Sequence, residues 1–183
     1  MNNHFYEVTI RGNKYKFPLM PISDSQSIAI FDSLSSQKLA QDAALDLIDL
    51  LKSKIDPANI DYILSAESKG IILAYEIARF LNKEMVIIRK THKFYHHNPI
   101  EVQVNTYTST AHNLYLDSAI NLKDKKILIV DDVLSTGSTL AAIENLLNQV
   151  SANVIGKAFV FAEGDSYLRE DIMYLQELPL FPK

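Results

Sequence analysis

The chemistry of this chain is concentrated between residues 127 and 139. Four apolar residues, Ile127-Leu128-Ile129-Val130, are followed by two adjacent carboxylates, Asp131 and Asp132. Val133-Leu134 then lead into a hydroxyl-rich turn, Ser135-Thr136-Gly137-Ser138-Thr139, that opens a helix. Backbone amides at a helix N-terminus attract an anion, and Ser/Thr hydroxyls add donors, so this turn suits a phosphate. The two acids would repel a phosphate placed beside them. They fit one step further along a ligand, accepting hydrogen bonds from sugar hydroxyls or holding a cation. A phosphorylated sugar satisfies both halves. Neither GxxxxGK[ST] nor GxGxxG is present, so this is not a Walker or a dinucleotide-binding loop. The plain alternative is a strand–turn–helix whose Asp-Asp pair is only solvated.

Three further segments carry charge or aromatic character. Ser65-Ala66-Glu67-Ser68-Lys69-Gly70 lies between a strand and a helix and offers a second helix N-terminus, where a simple capped helix is the competing explanation. Arg89-Lys90-Thr91-His92-Lys93 gathers cations just past an apolar run. His92, His96 and His97 read as a solvated loop rather than a metal site, because no fixed carboxylate partner accompanies them. Phe161-Ala162-Glu163-Gly164-Asp165 follows the last clear apolar run.

These segments need a scaffold that brings them to one edge. Residues 5 to 22 read as short extended pieces around Arg11-Gly12-Asn13, and Pro18 and Pro21 oppose a helix there. A helix is expected from Ser35 or Ser36 to about Ile55, with Leu39, Ala43 and Leu47 at helical spacing and Pro57 beyond its end. Further helices are expected over 69–81 and 139–150. Apolar runs at 62–64, 85–88, 127–130 and 154–161 read as buried strands, and 101–107 with 114–117 as a hairpin. Continuous apolar strands alternating with amphipathic helices indicate an α/β fold with a mainly parallel sheet flanked by helices. Such sheets bind ligands beyond the carboxyl ends of their strands, which is where the four segments fall.

Composition narrows the classes. The chain has 183 residues, 48% apolar and 22% charged, with a formal charge of -4, as expected of one globular domain rather than a disordered chain. It contains no cysteine, which excludes disulfides, a thiol nucleophile and cysteine-ligated zinc or iron–sulfur centres. No stretch approaches the roughly 20 apolar residues of a membrane span. Met1-Asn2-Asn3-His4 has no signal-peptide character, so a cytoplasmic location is expected. An acidic chain without a Lys/Arg block is not expected to bind nucleic acid.

The 127–139 segment resembles the phosphoribosyl-pyrophosphate signature of type I phosphoribosyltransferases and matches it at every position. The resemblance implies that Asp131 and Asp132 contact the ribose hydroxyls as the catalytic pair. Ser135, Thr136, Gly137, Ser138 and Thr139 would hold the 5′-phosphate. Glu67-Ser68-Lys69-Gly70 resembles the pyrophosphate loop of adenine phosphoribosyltransferases, with Lys69 where that pattern has arginine. Arg89-Lys90-x-x-Lys93 resembles a basic stretch of the adenine and xanthine enzymes. There it serves the pyrophosphate and can reach the neighbouring subunit's site, implying a homodimer. Residues 101–110 align with the family's flexible loop, but Asn105-Thr106 precede Tyr107 where adenine enzymes carry adjacent glutamates; in this the chain looks closer to the xanthine type. Phe161 and Glu163 fall where the family reads the base, although the place of Phe161 in the strand pattern favours the core. Gly164 replaces the lysine of the xanthine type.

The implied architecture is the type I phosphoribosyltransferase fold in a single domain over residues 1–183. It would have a small N-terminal hood (about 1–30), a core (about 35–183) and the flexible loop. The implied partners are phosphoribosyl pyrophosphate and a purine base, adenine first and xanthine or another oxopurine next. Magnesium (Mg2+) is implied through the substrate, with no direct side-chain ligand expected and Asp131 or Asp132 acting through water. A non-catalytic sensor of phosphoribosyl pyrophosphate is the alternative from a different class. The domain fills the chain without an appended helix-turn-helix, which weighs against that alternative.

Overall fold

The computed structural model describes residues 5–104 and 112–182. The expected flexible-loop positions Asn105, Thr106 and Tyr107 lie outside the described residues. Two sheets organise the chain. The N-terminal strands β1 (Phe5–Ile10), β2 (Asn13–Pro21) and β3 (Gln26–Ala29) form an antiparallel layer. The central sheet is parallel throughout, in the order β10-β9-β8-β4-β5. Its members are β4 (Tyr62–Ala66), β5 (Glu84–Ile88), β8 (Lys126–Leu134), β9 (Asn153–Glu163) and β10 (Met173–Leu178). Helices α1 (Gln37–Lys52), α2 (Gly70–Leu81) and α3 (Ser138–Gln149) connect them. The hairpin β6 (Ile100–Val104) and β7 (His112–Leu116) pairs antiparallel.

Local signals account for the helix ends. The Ser36 hydroxyl accepts from the Leu39 amide (3.3 Å), capping α1 as a short hydroxyl side chain should. Leu39, Ala43, Leu47 and Leu51 then recur on one buried face. Asn82, in the left-handed region at φ 52°, ends α2. The core has two halves. Between α1, α2 and the sheet lie Leu47, Ile63, Ile77, Leu128 and Val160; on the α3 side lie Leu64, Val86, Ile127, Ile129 and Leu146. In β8, residues 127–130 are fully buried, because both faces of the sheet are covered.

Three elements differ from the sequence expectation. Strand β8 continues past Val130 to Leu134, since its ladder with β9 persists through Leu134↔Ala162. The acid pair is therefore set in the strand itself and inherits its rigidity. Strand β10 was not evident in the sequence. Its apolar residues are few, Met173, Leu175 and Leu178 against one half of the core and Tyr174 against the other, in a short strand at the sheet edge. The chain's last strand, β11 (Phe181–Pro182), returns to pair with β3, so the hood sheet includes residues from the C-terminal end.

The hood is fixed to α1 by buried polar contacts. Asp42 Oδ2, on α1, accepts from Tyr15 Oη (2.6 Å) and Asn13 Nδ2 (2.8 Å) of the hood, and from Lys38 Nζ (3.0 Å) one turn earlier on the same helix. Burial first, and the Asp42 carboxylate second, push the Tyr15 phenol up to about 12. Among the described residues no helix is long and apolar enough to cross a membrane.

Candidate active site

The carboxyl end of β8 brings the acids and the hydroxyl turn together. Asp131 Oδ1 accepts from the Asp132 amide (2.9 Å). Burial, then the charge of Asp132, pushes the Asp131 carboxyl up to about 8. Asp131 still lines a cavity, yet its oxygens are hemmed in by neighbouring atoms, and that crowding sets the desolvation cost. Asp132 is buried and pairs through Oδ2 with Lys69 Nζ (2.8 Å).

Gly137 adopts φ 80°, ψ 0°, a left-handed conformation that lets the chain turn from strand into α3. Thr136 Oγ1 lies 3.0 Å from Ser138 Oγ, and the Gly137 carbonyl accepts from the Ala141 amide (2.9 Å). The first turn of α3 thereby faces its amides toward the turn. Asp131, Val133, Ser135, Thr136, Gly137, Ser138 and Thr139 share the lining of one cavity of about 120 Å³. The structure thus brings Asp131 together with the hydroxyl turn, whereas Asp132, the other acid expected to meet the ribose, is buried against Lys69 and does not line this cavity.

The second loop is organised by Glu67. Its Oε1 accepts from Arg89 Nη1 (2.7 Å) and its Oε2 from the Lys90 amide (2.8 Å). Burial pushes this carboxyl up, but the Lys90 amide and the Arg89 guanidinium outweigh it and hold it below the usual range. Lys93 adds to this attraction, and the Lys90 charge acts on Asp131 in the same sense. Glu67 therefore fixes the basic segment beside the acid pair. The Glu67–Ser68 peptide bond is cis, and the Ser68 carbonyl accepts from the Ile71 amide (3.3 Å). Glu67→Gln is expected to raise the KM for a pyrophosphate-bearing substrate about tenfold. That is the order of one charge-assisted hydrogen bond, about 1.5–3 kcal/mol. Steady-state kinetics check it, and an unchanged KM would remove Glu67 from this role.

Lys69 differs from the sequence reading, Phe161 takes the core position that its strand pattern favours over a contact with the base, and Glu163 falls at a second cavity. Lys69 is engaged: besides Asp132, its Nζ donates to the Phe31 carbonyl (2.9 Å), so in this state it ties the hood to the acid pair instead of standing free for a pyrophosphate. Phe161 is fully buried, packing edge-on against Phe17 and Phe31, so its ring belongs to the core and offers no surface to a base. Glu163 lies at the end of β9 and lines a separate cavity of about 420 Å³ with Ser135, Thr136, Gly164, Arg169 and Leu180. His92 stacks edge-on with His96 and Tyr115, and no group of three or more His, Asp or Glu residues able to hold a metal occurs among the described residues.

Sequence reasoning missed two supports. Ser33 Oγ donates to the Lys69 carbonyl (2.8 Å), and Ser166 Oγ donates to the Leu134 carbonyl (2.7 Å). Each hydroxyl pins a site loop from a segment more than 30 residues away, and no local spacing announces such a pairing.

Comparison with known proteins agrees with this geometry. The family model of the phosphoribosyl transferase domain matches residues 32–178. A relative from Ureaplasma parvum, named adenine phosphoribosyltransferase, is 36% identical over 132 residues, covering 69% of this chain and 70% of the relative. A relative from Methanosarcina mazei, named hypoxanthine/guanine phosphoribosyltransferase, is 30% identical over 177 residues, covering 95% and 82%. Among solved structures, an adenine phosphoribosyltransferase from Thermoanaerobacter pseudethanolicus superposes with a TM-score of 0.68 at 21% identity, covering 95% of each chain. One from Giardia lamblia superposes with a TM-score of 0.72 at 19% identity, covering 88% and 93%. At that identity the structures establish the shared fold. The acid pair on β8, the hydroxyl turn beside it and the matching family model together place this chain in the phosphoribosyltransferase family of pentosyl-transferring enzymes.

Proposed function

We propose that the chain is a purine phosphoribosyltransferase, with adenine as the first base and an oxopurine as the second reading. One observation carries this: Asp131 and the Ser135–Thr139 turn line one cavity, and the charge of Lys90, on the basic segment that Glu67 anchors, acts on Asp131. A base nitrogen attacks C1 of phosphoribosyl pyrophosphate. The bond from C1 to the pyrophosphate oxygen breaks, and its electron pair leaves with pyrophosphate while the base releases its N–H proton. Negative charge builds on the leaving group, where fixed cations and amides stabilise it. Asp131 and Asp132 accept from the ribose hydroxyls, which holds C1 between base and leaving group. Asp131 fits a cation or a diol: burial and the neighbouring Asp132 charge make its ionised form costly, and a bound cation or hydroxyl donors would offset that cost. Magnesium, held by substrate oxygens and through water by Asp131 or Asp132, would supply charge neutralisation at the pyrophosphate.

The names of the Ureaplasma and Methanosarcina relatives support a purine and favour neither base class decisively. Exposed Phe94 and Tyr95, next to the basic segment, support a homodimer contact there. The test supplies magnesium and phosphoribosyl pyrophosphate with each of adenine, hypoxanthine, guanine, xanthine, uracil and orotate, and assays nucleotide formation. Product from adenine alone is expected. Product only from xanthine, hypoxanthine or guanine would select the second reading. No product from any base, with thermal stabilisation by phosphoribosyl pyrophosphate, would overturn catalysis in favour of a sensor.

A further inference from the structure

The hydroxyl turn itself contains no cation. Lys69 is taken by Asp132 and Phe31, and Arg89 by Glu67. Yet one guanidinium lies against the turn from outside. Arg169 Nη1 sits 3.1 Å from where a Cβ on Gly137 would be. Arg169 lines the cavities on both flanks of the turn, one with Ser135, Thr136 and Glu163, the other with Gly137, Ser138 and Asn145.

Its orientation is imposed. Nε and Nη2 donate to the two oxygens of Asp171 (2.9 and 2.7 Å), the fork-on-fork geometry that fixes a guanidinium plane. Asp171 Oδ2 is held in turn by Lys157 Nζ (2.6 Å), and Lys157 also pairs with Glu144 on α3. Arg169, and after it Lys157, keep the Asp171 carboxyl well below the usual carboxylate range, so the network stays charged at neutral pH. Two cations and two anions cancel at a distance. Near at hand the array is a dipole whose positive end, Nη1, faces Gly137.

Resting on the function proposed above, we infer that Arg169 is a positioning residue for the 5′-phosphate: it braces the outer wall of the Ser135–Thr139 turn and adds positive potential behind it. The turn supplies donors but no net charge, while a phosphate monoester carries close to two negative charges at neutral pH. A cation behind the turn favours the bound phosphate without a covalent or proton-transfer role. Its effect belongs to binding of the phosphoribosyl end and not to departure of pyrophosphate.

The test compares Arg169→Gln and Arg169→Lys with the unaltered chain. Calorimetry measures binding of ribose 5-phosphate and, separately, of inorganic pyrophosphate; kinetics measure KM for phosphoribosyl pyrophosphate and kcat. Arg169→Gln is expected to weaken ribose 5-phosphate about tenfold and to raise the KM similarly, with kcat within about twofold. Pyrophosphate binding is expected to be unchanged, and Arg169→Lys to recover only part of the affinity, because the charge is kept but the fork onto Asp171 is lost. Equal ribose 5-phosphate affinity in Arg169→Gln and the unaltered chain would overturn the inference and leave the proposed function standing. So would an equal loss for ribose 5-phosphate and pyrophosphate, which marks a merely structural residue. An unaltered chain that binds neither ligand would overturn the proposed function and this inference with it.

Discussion

The double variant Asp131→Asn, Asp132→Asn is expected to lose at least about a thousandfold in kcat/KM while remaining folded. Each acid is held in a fixed place by the strand and its neighbours, and removing a single fixed electrostatic partner in such sites commonly costs about 10²–10³-fold. The fold should survive because asparagine keeps the acceptors that the structure uses. An amide oxygen at 131 can still accept from the backbone of residue 132, and one at 132 can still accept from Lys69. Turnover near that of the unaltered chain would remove the acid pair from catalysis.

Stability gives an independent reading of the same residue. Asp131 binds its proton more tightly in the folded chain, up to about 8, than the roughly 4 of an exposed aspartate. Between those values the folded state holds a proton that the unfolded state has lost, so stability falls as pH rises through this window. The penalty is absent below about pH 4 and complete above about pH 8. Asp131→Asn alone should flatten that slope and raise stability at high pH, as read from urea melts at pH 5, 7 and 9. A slope equal to that of the unaltered chain would mean that Asp131 is ionised throughout.

The site was legible in the sequence where its chemistry is local. Strand, acid pair, turn and helix start are contiguous from Ile127 to Thr139, so one segment encodes both the ligands and the elements that aim them. The parallel sheet was legible for a similar reason: strands covered on both faces read as unbroken apolar runs. What escaped was long-range. The Lys69 cation was visible, but its commitment to Phe31 and Asp132 depends on where the hood folds. Phe161, by contrast, is favoured as core by its place in the strand, and it packs edge-on with Phe17 and Phe31 there. Arg169 stands in a polar run, Arg169-Glu170-Asp171, that resembles any solvated turn; only the fold carries it to Gly137. Strand β11 is two residues long, too short for periodicity to register.

Gly70→Ala is the single substitution expected to damage both stability and activity most. Intrinsic propensity points the other way, since Gly70 begins α2 and alanine is favoured over glycine in a helix by about 1 kcal/mol. Packing decides against it. A Cβ at Gly70 would overlap Ser65 Oγ and Asp131 Oδ1 and would lie 3.1 Å from the Asp131 Cα. Strand β8 yields little, because Asp131 is held in the ladder with β9 and the strand is paired with β4 just before it, through Ile129. Helix α2 must therefore retreat, taking the Glu67–Lys69 loop with it and pulling Lys69 away from Asp132. Overpacking of this kind costs about 1–3 kcal/mol, which exceeds the propensity gain. Moving a positioned loop by about 1 Å can cost on the order of a hundredfold in rate. Gly12→Ala provides the contrast. Gly12 has a positive φ of 77° but nothing within 4 Å of an added Cβ, and it sits far from the acid pair in the hood turn. That variant should lose about 1 kcal/mol from backbone strain and keep its turnover. Urea melts and kcat/KM for both variants decide the matter: a Gly70→Ala chain as active as Gly12→Ala would show that the contact between α2 and Asp131 does not set the geometry of the acid pair.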